Sequence, residues 1–414
     1  MNKEINRKDQ VLPVVSVLLS TYNRARTLSE SIDSILEQTY TDFELIIVDD
    51  GSTDETRDIL ESYHDTRIRI LYLKENHFYC YAANQGLQLV RGRYVAIQNS
   101  DDIWDENKLQ IQIDFMENNK KYGACFTQIT LIDQNGENID AQYAELAGLY
   151  ATSYQTRAEW MNFFFFYGNC LCHPSAVIRT SIFKKVGAHN LSYCQLADFD
   201  LWIRIVAVSE IYVFPQKLMK YRWGKADDKQ ASSPTKAHTI RSFNEYMMIR
   251  RSLLERLSTE DFIEFFQKEF KNPDSHTELE LECEKAFLLM RANAYIPELK
   301  VLGIEKMEEV LREPLAVEVL RDKFGFTLHD LYQMNQEYSY YDITLRDELG
   351  AYKCQIERLN NVTKQLEQRE QQLEEYNQEL YQLLQTYQNS TSWKCTKPLR
   401  QLCGRVKNCI HKHI

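Results

Sequence analysis

Two adjacent carboxylates, Asp101 and Asp102, close the segment RYVAIQNSDDIWD directly after the apolar run of residues 94–97. Such a pair can serve a hard divalent cation, which prefers oxygen ligands. It can equally be a solvated turn with an Asp capping a helix over residues 106–116. These residues alone weigh the two readings evenly. Two further polar groups decide the matter: Thr21, Tyr22, Asn23 and Arg24 follow the apolar run 14–19, and Asp49 and Asp50 follow the run 43–48, with Gly51 at the turn.

Each group ends a short apolar run without alternation, the pattern of a strand buried on both faces. Leu28, Ile32, Ile35 and Leu36 share one helical face after the first run. Ser52 with Glu55 predicts a capping box that opens the next helix. A strand over 68–73 and a helix around 81–90 precede the carboxylate strand. Strand and helix thus alternate four times, which predicts a parallel sheet with right-handed crossovers. With the first strand central, the three polar groups meet beyond the strand C-termini, where open α/β sheets bind ligands. That crevice offers a planar aromatic in Tyr22, hydrogen-bonding groups in Thr21 and Asn23, an acceptor in Asp50 and an acid pair for a cation. A nucleoside diphosphate would satisfy both ends. Phosphate and carboxylate about 4 Å apart repel by ~4 kcal/mol at an effective dielectric near 20, so a cation or basic clamp is required.

Composition narrows the classes. The 414 residues, 44% hydrophobic, suffice for two or three domains, and the net charge of −11 argues against a general nucleic-acid binder. No run approaches the roughly 18 apolar residues of a membrane span, and MNKEINRKDQ has no apolar signal core. Export is not expected. The ten cysteines are scattered, and Cys170 with Cys172 lacks CxxC spacing, so reduced thiols, several of them in the core, are expected. The first strand's loop lacks the glycine pattern of dinucleotide or P-loop sites.

The stretches VSVLLSTYNR, ELIIVDDGSTDET and NSDD resemble the nucleotide-sugar domain of family 2 glycosyltransferases, over about the first 225 residues. The resemblance implies a GT-A-type α/β domain with a mostly parallel sheet. It implies that Tyr22 stacks on the base, that Asp50 contacts it, and that Thr21, Asn23, Asn99 and Asp101 bind the nucleotide sugar. Asp101 and Asp102 would hold Mn2+ or Mg2+. The family usually has Asp where this chain has Asn99, so the metal motif reads Asn99-Ser100-Asp101.

Further on, residues 123–132 predict a strand, Asn135-Gly136 a hairpin turn, and the aromatic run 163–167 a core helix segment. CHPSAVIR is also family-like; for its His173, a packed role is at least as expected as a catalytic one. LADFDLWIRI resembles the family's acidic motif, which places the catalytic base at Asp198, with Ala197 where an acid commonly precedes it. Asp200 is expected to be a helix cap. Residues 221–233 resemble the loop that closes over the diphosphate, with Arg222 or Lys229 as phosphate partners.

The domain boundaries expected are 1–235 for the catalytic domain, 236–344 for a helical domain, 345–390 for a coiled coil and 391–414 for a basic amphipathic tail. Leu345, Tyr352, Leu359, Leu366, Leu373, Leu380 and Tyr387 recur every seven residues, with Leu349, Ile356, Thr363, Glu370, Asn377 and Leu384 as the second series. Self-association through this seam is expected; the alternative is a solvated single helix. The tail carries Lys394, Lys397, Arg400, Arg405, Lys407 and Lys412 and no acid, which suits an anionic membrane surface. Pro398 suits its first turn. SWKCTKPLR resembles a tail of bacterial polysaccharide-assembly glycosyltransferases.

These readings converge on a metal-dependent inverting glycosyltransferase of bacterial surface-polysaccharide synthesis, cytoplasmic or peripheral at the inner face of the plasma membrane. The expected donor is UDP-linked and the expected acceptor a glycan or lipid-linked hydroxyl. Two rivals stand beside it: a nucleotidyltransferase that makes the sugar nucleotide, and a coiled-coil scaffold inactivated by Asn99 and Ala197.

Overall fold

The computed structural model describes residues 12–223, 235–291, 299–336 and 343–410. Lys229 lies outside them. Four apolar runs form the strands that the sequence predicts, separated by helices: β1 (Val15–Thr21), α1 (Leu28–Leu36), β2 (Phe43–Asp49), α2 (Thr56–Ser62), β3 (Ile68–Tyr72), α3 (Phe78–Leu87) and β4 (Tyr94–Asn99). β1, β2 and β4 are mostly apolar and buried on both faces, whereas β3 at the sheet edge is half-buried. Val15, Val17, Leu19, Leu45, Ile47 and Ala96 join Leu28, Ile32 and Ile35 of α1 in one core.

Beyond β4 come β5 (Ile103–Trp104), α4 (Lys108–Asn118), β6 (Tyr122–Ile132), α5 (Ala144–Leu149), α6 (Arg157–Phe166), β7 (Val177–Arg179), α7 (Thr180–Val186), α8 (Ala197–Val208) and β8 (Glu210–Arg222). The sheet order is β3-β2-β1-β4-β7-β6-β8-β5. β1 pairs in parallel with β2 and β4, so its C-terminal end lies between theirs. The second half is mixed: β7 is antiparallel to β4 and to β6, while β6 and β8 run parallel.

Several local expectations change. The capping box at Ser52 does not form, because its hydroxyl accepts the Asn23 N–H at 2.9 Å and α2 starts only at Thr56. The helix expected from 81 starts three residues earlier, and that expected from 106 starts at Lys108. Asn135-Gly136 makes its turn, with Gly136 at φ 86°, but the returning chain forms a single bridge, Ile132 to Asn138. Phe164 and Phe165 are core residues, whereas Tyr167 at the end of that run is 55% exposed. Of the described cysteines, all free, five are buried.

Helices α9 (Lys236–Arg256), α10 (Thr259–Phe266), α11 (Glu278–Met290), α12 (Lys300–Val310), α13 (Ala316–Phe324) and α14 (Leu328–Gln336) follow. They belong to the same compact unit as the sheet, Met1–Glu337, rather than to a domain of their own. The reason is visible in the pairing. Arg157 of α6 bonds Asp261 of α10 at 3.1 Å, and Asn162 of α6 bonds the Phe265 carbonyl at 2.5 Å. The second unit, Tyr338–Ile414, contains α15 (Ile343–Asn389), α16 (Thr391–Cys395) and α17 (Lys397–Ile410). Pro398 sits in the first turn of α17, where its missing N–H has no helical partner to lose. Among the described residues, no helix is long and apolar enough to cross a membrane.

Candidate active site

The loops after β1, β2 and β4 are tied to one another by hydrogen bonds, which is why three separate stretches of sequence form one site. Asn23 adopts φ 50°, a left-handed conformation that asparagine tolerates, and its Oδ1 accepts the Thr53 N–H at 2.8 Å. The Asp50 N–H donates to the Thr21 carbonyl at 2.9 Å. The Thr27 hydroxyl donates to the Ser100 carbonyl at 3.0 Å. Arg24 Nε lies 3.7 Å from Asp101 Oδ2. Tyr22 leaves its ring 38% exposed, and Thr21 Oγ1 is buried with no hydrogen-bond partner.

Asp50 is 3% exposed and both its oxygens accept the His77 N–H, at 3.0 and 3.1 Å. Burial raises its pKa above the ordinary carboxylate value despite that bond. The loop that supplies His77 presses on the turn at Gly51: a Cβ there would meet the Glu75 carbonyl carbon at 2.6 Å, and φ is +75°. Only glycine fits. Phe78, the first residue of α3, holds φ 66° and is 65% exposed, a costly conformation for a bulky residue and a feature the sequence does not announce.

The two carboxylates of the opening motif differ. Asp102 is fully buried: Oδ1 accepts the Arg222 N–H at 2.7 Å and Oδ2 accepts the Asn99 amide at 2.9 Å. Its expected share in a metal site is therefore replaced by a structural role, joining β4 to the end of β8. Asn99 supplies the donor that an Asp could not. Asp101 keeps a 20% exposed side chain, with the Arg24 contact as its ion pair. Burial raises both acids, and Asp102 also feels the adjacent Asp101 charge.

Arg222 is not in a closing loop, as the sequence suggested, but ends β8 with a side chain 2% exposed. Its guanidinium donates to the Asp101 carbonyl at 2.8 Å, the Asp133 carbonyl at 3.0 Å and Glu30 Oε2 at 2.6 Å. Those partners make it a clamp on the acid loop and leave it poorly placed as a free phosphate ligand.

Asp198 lies in the first turn of α8, half-buried. Oδ1 accepts the Phe199 N–H at 2.7 Å and Oδ2 the Asn169 amide at 3.0 Å. Burial, aided by the nearby Glu245 charge, pushes its pKa up to about 6. Tyr150 is half-buried and meets the Tyr221 ring of β8 edge-on, with ring centroids 5.8 Å apart. Glu245 of α9 anchors the start of α8 by accepting the N–H groups of Cys194, Gln195 and Leu196 at 2.8, 2.9 and 2.7 Å. Asp200 is no cap: it is 1% exposed and pairs with Arg204 at 2.8 Å and Arg256 of α9 at 3.0 Å. Asn169 and Glu245 were not singled out in the sequence, since both act across tertiary contacts that no local pattern marks.

His173 is a packed residue. Its Nε2 meets the Tyr79 hydroxyl at 3.0 Å, and burial with the neighbouring His189 lowers its pKa to about 3, so it is neutral at ordinary pH. Among the described residues no group of three or more His, Cys, Asp or Glu is arranged to hold a metal ion. One partly exposed carboxylate still fits a magnesium or manganese site of the kind completed by substrate phosphates and water.

Residues 16–187 match the family model described as Glycosyl transferase family 2. The putative teichuronic acid biosynthesis glycosyltransferase TuaG of Bacillus subtilis is 42% identical over 130 residues, 31% of this chain and 51% of that protein. The chain thus matches about half of TuaG's length. An uncharacterized glycosyltransferase of Methanocaldococcus jannaschii is 30% identical over 221 residues, 52% of this chain and 73% of that one. The UDP-Glc:alpha-D-GlcNAc-diphosphoundecaprenol beta-1,3-glucosyltransferase WfaP of Escherichia coli is 30% identical over 202 residues, covering 47% and 71% respectively.

Proposed function

The chain belongs to glycosyl transferase family 2, and from that premise we propose that it moves a sugar from a nucleoside-diphosphate sugar to a hydroxyl of a glycan or lipid-linked acceptor in one inverting displacement. The observation that carries this reading is the placing of Asp198. It is a carboxylate in the first turn of α8 with pKa raised to about 6, held by the Asn169 amide at 3.0 Å.

In this reading the base stacks on the exposed Tyr22 ring, and Asp50 and the unpartnered Thr21 hydroxyl receive its polar edge. The diphosphate lies toward Asp101 and Arg24. Mn2+ or Mg2+, held by Asp101 and the diphosphate oxygens, would neutralise charge on the leaving group. Asp198 removes the proton from the acceptor hydroxyl while its oxygen bonds to the anomeric carbon; the bond to the diphosphate oxygen breaks on the opposite side. A base with pKa near the working pH combines availability with proton affinity. A UDP-linked donor and a lipid-linked glycan acceptor are supported by the similarity to WfaP, which uses UDP-Glc and a GlcNAc-diphosphoundecaprenol acceptor, and a polysaccharide product by the similarity to TuaG of teichuronic acid biosynthesis.

Incubation with a panel of nucleotide sugars, manganese and candidate acceptors tests the reaction class. Nucleoside diphosphate and a glycosylated acceptor are expected. Release of pyrophosphate from nucleoside triphosphate and sugar phosphate would instead support the nucleotidyltransferase rival. Failure to bind or turn over any nucleotide sugar would support the scaffold.

A further inference from the structure

Helix α15 is 47 residues long, and its apolar stripe is covered by nothing among the described residues of its own unit. Ile356, Leu359, Leu366, Leu373, Leu380 and Leu384 are 45% to 64% exposed. At 1.5 Å per residue the helix extends about 70 Å, far more apolar edge than a solvated helix needs. The spacing is three residues from Ile356 to Leu359, then four to Thr363. That makes Ile356, Thr363, Glu370, Asn377 and Leu384 the a positions of a heptad and Tyr352, Leu359, Leu366, Leu373, Leu380 and Tyr387 the d positions.

We propose that α15 pairs with the same helix of a second copy as a parallel, in-register, two-stranded coiled coil. This does not depend on the transfer chemistry. Two features of the seam select two strands in parallel. β-Branched Ile356 and Thr363 at a with leucine at d favour two strands, and Asn377 at a finds its own amide partner across the seam only when the copies run parallel and in register. Flanking charges select the same direction. Arg369 at g faces the partner's Glu374 at e in a parallel pair, and Tyr376 faces the partner's Tyr381. In an antiparallel pair g faces g and e faces e, bringing Arg369 toward the partner's Arg369 and Glu367 toward the partner's Glu367. Glu370 at a is the weak layer, since a parallel pair sets two carboxylates against each other there. Both tails then leave the pair at one end, which presents α17 twice to any surface it touches.

The test uses the full chain. Light scattering should give about twice the 49.0 kDa of one chain. Arg369→Glu and Glu374→Arg should each weaken the dimer about tenfold, and the two together should restore it, while Glu370→Leu should tighten it about tenfold. With Cys354, Cys395, Cys403 and Cys409 changed to Ser, Leu380→Cys should cross-link to itself under mild oxidation, because this position lies far from the helix midpoint and meets its own copy only in a parallel pair. Retained helicity by circular dichroism separates lost pairing from lost folding. A mass of one chain, a mass of three or more, or a dimer that Leu380→Cys does not cross-link overturns the proposal.

Discussion

Asp198→Asn is expected to lower kcat by about 10² to 10⁴-fold while donor affinity stays within twofold of wild type. The amide keeps the size of the side chain and can still meet Asn169 and the Phe199 N–H, but it cannot take a proton. The pH profile gives a second readout. The base must be ionised, so wild-type kcat/KM should fall about tenfold per unit below the Asp198 value of about 6, and the residual rate of the variant should lose that limb. Stability should move the other way. The folded pKa is raised above the unfolded one, so ionised Asp198 opposes folding increasingly from about pH 4 to pH 6 and by a constant amount above. Asp198→Asn should therefore melt at or above wild type at pH 7. A variant that transfers sugar near the wild-type rate would remove Asp198 from the base role.

The second large effect divides the adjacent acids. Asp101→Ala should weaken manganese-dependent donor binding by at least about tenfold and abolish the response to chelator, because Asp101 is the partly exposed carboxylate of the pair. Asp102→Ala should instead cost folding stability. It strands the buried Arg222 N–H and the Asn99 amide, a loss of about 2 to 3 kcal/mol that a denaturant titration would read. Calorimetry of donor binding with and without manganese, beside the melts, separates the two. Equal loss of metal response in both variants, with unchanged stability, would contradict the assignment.

The β1 to β4 half of the fold was legible in the sequence because β1, β2 and β4 are buried on both faces and their loops sit at strand ends, so short apolar runs followed by Tyr22, Asp50 and Asp101 mark both the strands and the candidate site. What stayed hidden depends on contacts between distant segments. Ser52 looks like half of a capping box, yet the hydroxyl is claimed by Asn23 from another loop. Asp102 and Arg222 stand 120 residues apart and each reads as a ligand alone; together they are a structural joint. Asp200 reads as a cap until Arg256 of α9 arrives. Glu245, nearly fifty residues from the helix it anchors, leaves no local mark. The heptad of α15 was plain, because a seven-residue repeat needs no tertiary partner within the chain to be seen.

A single displacement driven by Asp198 inverts the anomeric centre, and the anomeric configuration of the first-formed product reads that outcome. Proton NMR of the reaction, recorded before mutarotation or hydrolysis can scramble the signal, should show the coupling of the anomer opposite to that of the donor. A product that retains the donor configuration would require a second displacement and a second nucleophile, and would rule out Asp198 acting as base in a single displacement.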